Sequence, residues 1–248
     1  MTSGTVVVSQ RIGSPGSRTV LITGAAGGIG EATTRRLLAA GYQVAISGRH
    51  EAQLLNLVSE LNQPDRVFPV VADATDYEAI NQAVDRTVER FGKLDVVIAN
   101  AGFSTHDNLS SGDPNRWREM VLVNVLGPAV LVKAALPALR ASRGRIVFLG
   151  SVAGFKNTPG NMYSVTKWAA TGLAENTRLL VTGHGIGVTL IAPGRVDTPF
   201  WSRRSTGAAA DGPSLTAEHI ADTIVWALEQ PASVDINTVL LRPIGQAN

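Results

Sequence analysis

Residues 18–41, RTVLITGAAGGIGEATTRRLLAAG, decide the fold of this chain. The first six residues are mostly apolar and β-branched, which predicts a buried strand, and the segment from Gly28 to Gly41 has the apolar spacing of a helix. Between the two lies the glycine-rich turn TGAAGGIG, residues 23–30. A strand, a glycine-rich turn and a helix in this order are typical of a site where helix N–H groups bind a pyrophosphate.

Three glycines of this turn have separate predicted tasks. Gly24 permits a tight turn, Gly28 lets the backbone approach a pyrophosphate, and Gly30 allows the helix to pack closely. The spacing is G-x-x-x-G-x-G, which differs from the G-x-G-x-x-G of the common dinucleotide fingerprint. A glycine-rich turn without a ligand is the alternative, and the position directly after the first strand argues against it.

The rest of the chain repeats the alternation of strand and helix. Further apolar runs predict strands at residues 42–48, 66–73, 94–102, 144–151, 187–194 and 236–243. We therefore expect an α/β fold: a single Rossmann-like, doubly wound parallel sheet of about seven strands with helices on both faces. Ligands bind beyond the carboxyl ends of the strands in such sheets, so functional residues should follow strands.

The composition is typical of one globular domain. Hydrophobic residues make up 44% and charged residues 17% of the 248 residues. We expect a flexible N-terminal tail at 1–17 and a single dinucleotide-binding catalytic domain at 18–248, with a lid near 200–214. No secretion signal and no apolar run of transmembrane length is expected, which predicts no membrane association and a cytoplasmic location.

Charge and residue types exclude several classes of function. A formal net charge of +2 without a basic block gives no reason to expect nucleic acid as a partner. The absence of cysteine removes disulfides, thiol catalysis and thiolate metal sites. The four histidines lack ligand spacing, so no metal is expected. Of these, His106 is expected in a surface loop, with a substrate-facing position as the alternative.

The end of the second predicted strand, ISGRH at 46–50, bears on the choice of nicotinamide cofactor. An acidic residue there binds the ribose 2′-hydroxyl, whereas an arginine accommodates a 2′-phosphate. Gly48 is followed by Arg49, whose guanidinium suits phosphate geometry. The sequence therefore favours NADP(H) over NAD(H), with a solvated surface arginine as the alternative.

In GNMYSVTKWAA, residues 160–170, Tyr163 and Lys167 lie four positions apart on a predicted helix. Side chains at this spacing share one face, with Cβ atoms about 6 Å apart. A cation so close, helped by the positive nicotinamide ring of the oxidised cofactor, should lower the pKa of Tyr163 and make it a general acid/base. Ser151 ends the fifth strand, where its hydroxyl could bind the substrate oxygen that Tyr163 protonates. A helix cap or turn is the alternative for Ser151.

These motifs, in this order, resemble those of the short-chain dehydrogenase/reductase family in its single-domain form. The resemblance runs from about residue 18 to 243. The motifs are TGAAGGIG (23–30), Asp73, NAG (100–102), Asn124, Ser151, YSVTK (163–167) and PGRVDT (193–198). The resemblance implies an NADP(H)-dependent carbonyl reductase or secondary alcohol dehydrogenase with a small-molecule carbonyl/alcohol substrate. A catalytically silent nucleotide-binding scaffold or sensor is the alternative, and an isomerase or dehydratase is a third reading.

The resemblance also implies residue roles. Tyr163 would exchange a proton with the substrate oxygen, Ser151 would hold that oxygen, and Lys167 would bind the nicotinamide ribose. Asn124 would anchor a proton-relay water, or serve as a buried amide that satisfies freed backbone groups, beside a kink expected at Gly127. The expected cofactor contacts are Gly24, Gly28, Ile29, Gly30, Arg49, Asp73, Asn100, Ala101, Gly102, Tyr163, Lys167, Pro193, Gly194, Val196 and Thr198.

Other features qualify these expectations. Many NADP-using relatives carry a serine and a basic residue in the glycine turn, where this chain has Ala26 and Gly27. Arg49 would then bind the 2′-phosphate without help from the turn. Phe200 and Trp201 open the predicted lid, and the substrate pocket is expected to form from the loops near 103–107, 153–161 and 200–214. The long apolar helix near 116–140 predicts a buried face, and the resemblance implies a homo-oligomer, in the form of a tetramer, through it.

Overall fold

The computed structural model describes residues 18–201 and 212–247. The tail expected at 1–17 and most of the lid expected near 200–214 lie outside the described residues. The described part is built on seven parallel strands: β1 Thr19–Thr23, β2 Gln43–Gly48, β3 Val67–Val71, β4 Val96–Ala99, β5 Arg145–Leu149, β6 Gly187–Pro193 and β9 Thr238–Leu241. A second small sheet pairs β7 Val196–Asp197 with β8 Leu215–Thr216.

The order of the strands in the main sheet is β3-β2-β1-β4-β5-β6-β9. The chain leaves β1 towards one side for β2 and β3, then crosses back to place β4 on the other side of β1. This reversal creates a crevice between the carboxyl ends of β1 and β4, which is the usual ligand position in open α/β sheets. The predicted doubly wound sheet is confirmed.

Seven α-helices of the described residues cover the sheet: α1 Gly28–Ala39, α2 Glu51–Leu61, α3 Tyr77–Phe91, α4 Pro114–Val121, α5 Gly127–Ser142, α6 Met162–Val181 and α7 Ala217–Leu228. Successive strand residues point to opposite faces. Leu21 therefore joins one core with residues of α3, α5 and α6, whereas Ile22 joins the other with residues of α1, α2 and α7. Because both faces are buried, the strands read as continuous apolar runs.

The predicted long helix is one helical run from Pro114 to Ser142, interrupted by a π-helical turn at Leu122–Leu126. The irregularity expected beside Gly127 is confirmed. By length and composition this run could span a membrane, which corrects the expectation that no such segment exists. Half of its most apolar window is buried against the rest of the protein, so we assign it to the core.

Candidate active site

The turn between β1 and α1 has a backbone that requires glycine. Gly24 and Gly28 have positive φ angles of 65° and 45°, a region that L side chains rarely adopt. At Gly30 a Cβ atom would lie 2.2 Å from the carbonyl oxygen of Gly24. The turn therefore folds tightly onto the start of α1, as predicted, and leaves the N-terminal N–H groups of this helix at the crevice.

Asn100 fixes this turn to the end of β4. Its side-chain Nδ2 donates to the carbonyl oxygens of Thr23 and Gly24, each at 2.9 Å. In return, the Thr23 hydroxyl accepts from the backbone N–H groups of Asn100 and Ala101 at 3.2 Å. The amide of Asn100 thus holds the two sides of the crevice together, while the backbone of 100–102 remains beside it.

A cleft of about 740 Å³ opens at this edge of the sheet. Its lining comes from the segments that follow β1, β4, β5 and β6, together with the start of α6. The predicted site residues that line it are Gly24, Gly28, Ile29, Asn100, Ala101, Gly102, Ser151, Tyr163, Lys167, Pro193, Gly194, Val196 and Thr198. The structure therefore brings three of the four predicted catalytic residues, Ser151, Tyr163 and Lys167, and the predicted phosphate turn into one cavity.

Four predicted site residues lie outside the lining of this cleft. Gly30 packs behind the turn. Arg49 is exposed directly after β2. Asp73 follows β3, and its Oδ1 accepts from the N–H and the hydroxyl of Thr75, both at 2.8 Å. Arg49 and Asp73 thus stand farther along the same edge of the sheet, on the far side of β1 from the catalytic residues. Asn124 lies behind the cleft.

The catalytic geometry depends on the first turns of α6. Asn161 caps this helix by accepting from the N–H of Ser164 at 2.7 Å. Tyr163 and Lys167 share the face that lines the cleft, and the Lys167 Nζ lies 5.6 Å from the centre of the Tyr163 ring. The ammonium donates to the carbonyl oxygen of Leu149, the last residue of β5, at 2.8 Å. Strand β5 therefore orients the lysine.

The electrostatics of the ligand-free cleft differ from the sequence-based expectation. Burial raises the pKa of Tyr163 to about 12, although a hydrogen bond with Ser151 acts in the opposite direction. Burial also lowers the pKa of Lys167 to about 8. The lysine alone therefore does not lower the tyrosine pKa, because loss of hydration disfavours phenolate and ammonium alike and the ammonium is directed at Leu149. The lowering expected from the added charge of an oxidised nicotinamide stays a prediction.

Ser151 has the capping role that was weighed as its alternative, and it also lines the cleft. Its Oγ accepts from the N–H of Ala153 at 3.1 Å and caps the short 3₁₀ helix at Val152–Gly154. The same hydroxyl lines the cleft and interacts with the Tyr163 side chain. The Ser151 hydroxyl donates to the carbonyl oxygen of Pro193 at 3.5 Å, a long and therefore weak hydrogen bond that a substrate oxygen could replace.

Asn124, in the π-helical turn, is 2% exposed and fully hydrogen-bonded through its side chain. The Oδ1 accepts from the N–H of Phe103 at 3.0 Å, and Nδ2 donates to the Phe103 carbonyl at 2.8 Å and the Thr166 hydroxyl at 3.0 Å. Thr166 in turn donates to the carbonyl oxygen of Tyr163 at 2.8 Å. The amide thus connects the loop after β4 to the helix of the catalytic tyrosine.

Aromatic side chains cover Tyr163. The Phe200 ring lies 5.7 Å from the Tyr163 ring and 5.2 Å from the imidazole of His106. His106 lines the cleft with a positive φ of 56°, and its Nε2 is 3.1 Å from the Phe200 carbonyl oxygen. The expected surface-loop position of His106 is therefore wrong, because the loop after β4 folds back over the cleft.

Sequence reasoning missed several residues that line the cleft. Asn161 had a detectable signal, since an asparagine directly before a helix is a common N-cap. Lys156 was not named as a site residue, although it lies in the loop near 153–161 that was expected to form part of the pocket, and Gln246 had no comparable signal. The Gln246 Oε1 accepts from the N–H of Arg195 at 2.8 Å and so holds the segment after β6 from the C-terminal end of the chain. Such long-range contacts have no local pattern in the sequence.

The family model for short chain dehydrogenases matches residues 18–209. This chain belongs to the short-chain dehydrogenase/reductase family. An uncharacterized oxidoreductase of Staphylococcus epidermidis is 34% identical to this family member over 229 residues, which cover 92% of this chain and 97% of the relative.

Two solved structures of similar proteins carry NADP-type ligands. An alcohol dehydrogenase from the archaeon Thermococcus sibiricus, complexed with 5-hydroxy-NADP, has a TM-score of 0.84 and 30% identity, covering 93% of this chain and 98% of its own. The closed form of a serine dehydrogenase complexed with NADP+ has a TM-score of 0.87 and 29% identity, with coverages of 93% and 96%. As a member of this family, the chain is a nicotinamide-dependent oxidoreductase acting on CH–OH groups.

Proposed function

We propose that this protein is an NADP(H)-dependent carbonyl reductase or secondary alcohol dehydrogenase, which transfers hydride between nicotinamide and a ketone/alcohol pair. The observation that carries the proposal is that Ser151, Tyr163 and Lys167 line the same cleft as the glycine turn. The turn suits a pyrophosphate, because two positive-φ glycines remove side chains from the approach and the start of α1 presents N–H groups. The bound dinucleotide supplies or accepts the hydride.

The side chains of this chain perform the proton chemistry. The Ser151 hydroxyl binds the substrate oxygen, and Tyr163 Oη gives that oxygen a proton in reduction and takes it back in oxidation. A pKa of about 12 keeps Tyr163 protonated at neutral pH, which is the form that a general acid needs. Lys167 holds positive charge beside the phenol ring, and Phe200 excludes water from that side.

The preference for NADP(H) is supported by Arg49. It is exposed at the end of β2, the position from which the ribose 2′-position is recognised in this fold. Within residues 18–201 and 212–247 Arg49 forms no ion pair, so its guanidinium is available for a phosphate. The NADP-type ligands of the two structural relatives agree with this choice.

The decisive experiment replaces Tyr163 with phenylalanine, which keeps the ring and removes the proton donor. With a panel of ketones and secondary alcohols, we expect turnover to fall by about 10²–10⁴-fold, while NADPH binding measured by fluorescence titration is retained. NADH is tested beside NADPH. Undiminished turnover in the variant would refute the assignment of Tyr163, and better use of NADH would refute the preference drawn from Arg49.

The alternative of a catalytically silent nucleotide-binding protein has no support from the relatives. We also propose that the protein assembles as a homotetramer and that it is located in the cytoplasm. Support for assembly comes from apolar side chains exposed on neighbouring helices, Val121 and Leu126 near the π-helical turn and Val165 and Trp168 on α6. Light scattering after size-exclusion chromatography tests the assembly, and a monomer at micromolar concentration contradicts it.

A further inference from the structure

The charges around the cleft have one sign. Among the described residues that line it, none is aspartate or glutamate, whereas His106, Lys156, Lys167 and Arg195 are basic. The Lys167 ammonium already donates to the Leu149 carbonyl and lies beside the phenol ring. Arg195 belongs to the segment after β6, which is expected to contact the nicotinamide. His106 and Lys156 line the cleft from the loop after β4 and from the segment between Ser151 and Tyr163, and we assign these two segments to the substrate.

Three contacts define this substrate end. The Phe200 ring covers Tyr163 and is packed against His106. The loop after β4 reaches the residues before α6, because the N–H of Leu109 donates to the Gly160 carbonyl at 2.9 Å. Lys156 is anchored beside α6 through its backbone carbonyl, which accepts from the hydroxyl of Ser164 at 3.2 Å. Lys156 is therefore carried on a fixed segment, and its side chain is partly buried.

Asp107, an acidic residue of the loop after β4, is already engaged by other donors. Asp107, in the loop that adjoins Asn161, accepts from the Thr105 hydroxyl at 2.6 Å and from the Trp117 Nε1 at 2.9 Å. Within the part of the chain that the structure describes, Lys156 forms no ion pair. A partly buried ammonium without a carboxylate partner favours binding of an anion.

The form of the site indicates which anion. Phosphate groups are commonly held by arginine forks or by open helix N-termini. Here a single ammonium is present beside α6, and the N-terminus of α6 is closed by the side chain of Asn161. The aromatic cover over Tyr163 restricts the size of the reacting group. These features fit a small monoanion, such as a carboxylate close to the reacting carbon.

We propose that Lys156 binds a substrate carboxylate and that the enzyme acts on short 2- or 3-hydroxy acids and the corresponding oxo acids. This inference rests on the proposed function and specifies its substrate class. In oxidation the carbinol carbon loses hydride to NADP+ and its hydroxyl proton passes to Tyr163 in its phenolate form; the phenol then releases that proton to solvent, so the products are the oxo acid, NADPH and a proton. The carboxylate is unchanged and serves to orient the carbinol.

The experiment compares acids with their neutral esters. Lactate and 3-hydroxybutyrate are each measured beside their methyl esters with NADP+, using wild type and the variants Lys156→Met, Lys156→Arg and Lys133→Met. The last variant removes an equal charge from an exposed position on α5 that does not line the cleft. In wild type we expect a higher kcat/KM for at least one acid than for its ester.

The ratio of acid to ester kcat/KM should fall at least about tenfold in Lys156→Met, which corresponds to about 1.4 kcal/mol. Lys156→Arg should retain most of the ratio, and Lys133→Met should leave it unchanged. If esters or neutral ketones are turned over and the ratio is the same in Lys156→Met, the inference is overturned and the proposed function stands. A wild-type enzyme that prefers the esters to the acids likewise overturns the inference and leaves the proposed function standing.

Calorimetry separates the inference from the proposed function when no substrate is turned over. Wild type and Lys156→Met, both saturated with NADP+, are titrated with 3-hydroxybutyrate. Binding that requires Lys156 without turnover supports the anion site and refutes the proposed reaction. Absence of both binding and turnover overturns the two together.

Discussion

Replacing Lys167 with methionine should abolish turnover and stabilise the ligand-free protein. The pKa of this lysine falls from 10.5 to about 8 on burial, a difference of about 2.5, and each pKa unit corresponds to about 1.4 kcal/mol. Holding the ammonium in the cleft thus costs roughly 3 kcal/mol at pH 7. Methionine has a similar length and no charge, but it loses the hydrogen bond to Leu149, worth about 1 kcal/mol. The expected net gain is about 2 kcal/mol.

The pH dependence of the stability difference between wild type and Lys167→Met shows whether the buried charge of the lysine causes it. A lysine with a lowered folded pKa contributes full stability only above its unfolded value of 10.5, and that contribution is lost as the pH falls towards 8. The advantage of Lys167→Met should therefore be largest below pH 8 and disappear above pH 10.5. Urea unfolding of both proteins at pH 7, 9 and 10.5, at matched protein concentration, measures this. A variant that is less stable than wild type at pH 7 would refute the reasoning.

Three further predictions test other parts of the site. Arg49→Gln should weaken NADPH binding by about tenfold or more, the contribution of one charge-assisted hydrogen bond, with little change for NADH; equal effects on both, measured by fluorescence titration, would contradict this. Gly30→Ala should lower the free energy of unfolding by about 1–3 kcal/mol, because its Cβ would collide with the Gly24 carbonyl, whereas Gly27→Ala, with no atom within 4 Å, serves as the control. Thr166→Val should cost about 1–3 kcal/mol by leaving one N–H of the buried Asn124 amide without its acceptor; thermal unfolding indistinguishable from wild type would contradict that network.

The sequence was sufficient for the fold because the relevant signals are local. Continuous apolar runs predict strands buried on both faces, and the turn at 23–30 predicts the place where the chain leaves β1. The tight packing of Gly30 was predictable in the same way, since only glycine has no Cβ. The boundaries were less accurate at the long helix, which begins at Pro114 after the Asp113 cap and not near residue 116.

The site was predictable only where a family motif marks a residue. Ser151, Tyr163 and Lys167 were found in this way, whereas Lys156 and Gln246 line the cleft through contacts between distant segments. The position of His106 was misjudged because the fold-back of its loop depends on contacts such as that between Leu109 and Gly160. Such contacts join segments that are distant in the sequence, so no periodicity or composition near residue 106 predicts them.

The largest difference between sequence and structure concerned electrostatics, and it has a physical explanation. Spacing of four residues on a helix predicts that two side chains are close, but it says nothing about how much water surrounds them. In the cleft the Lys167 ammonium is held by the Leu149 carbonyl, and loss of hydration dominates the pKa of both groups. The ligand-free protein therefore presents a protonated phenol beside a lysine that is still mostly protonated at pH 7. This pair is prepared to donate a proton to a ketone, whereas alcohol oxidation requires the phenolate, whose stabilisation must come from charge that arrives with the bound oxidised dinucleotide.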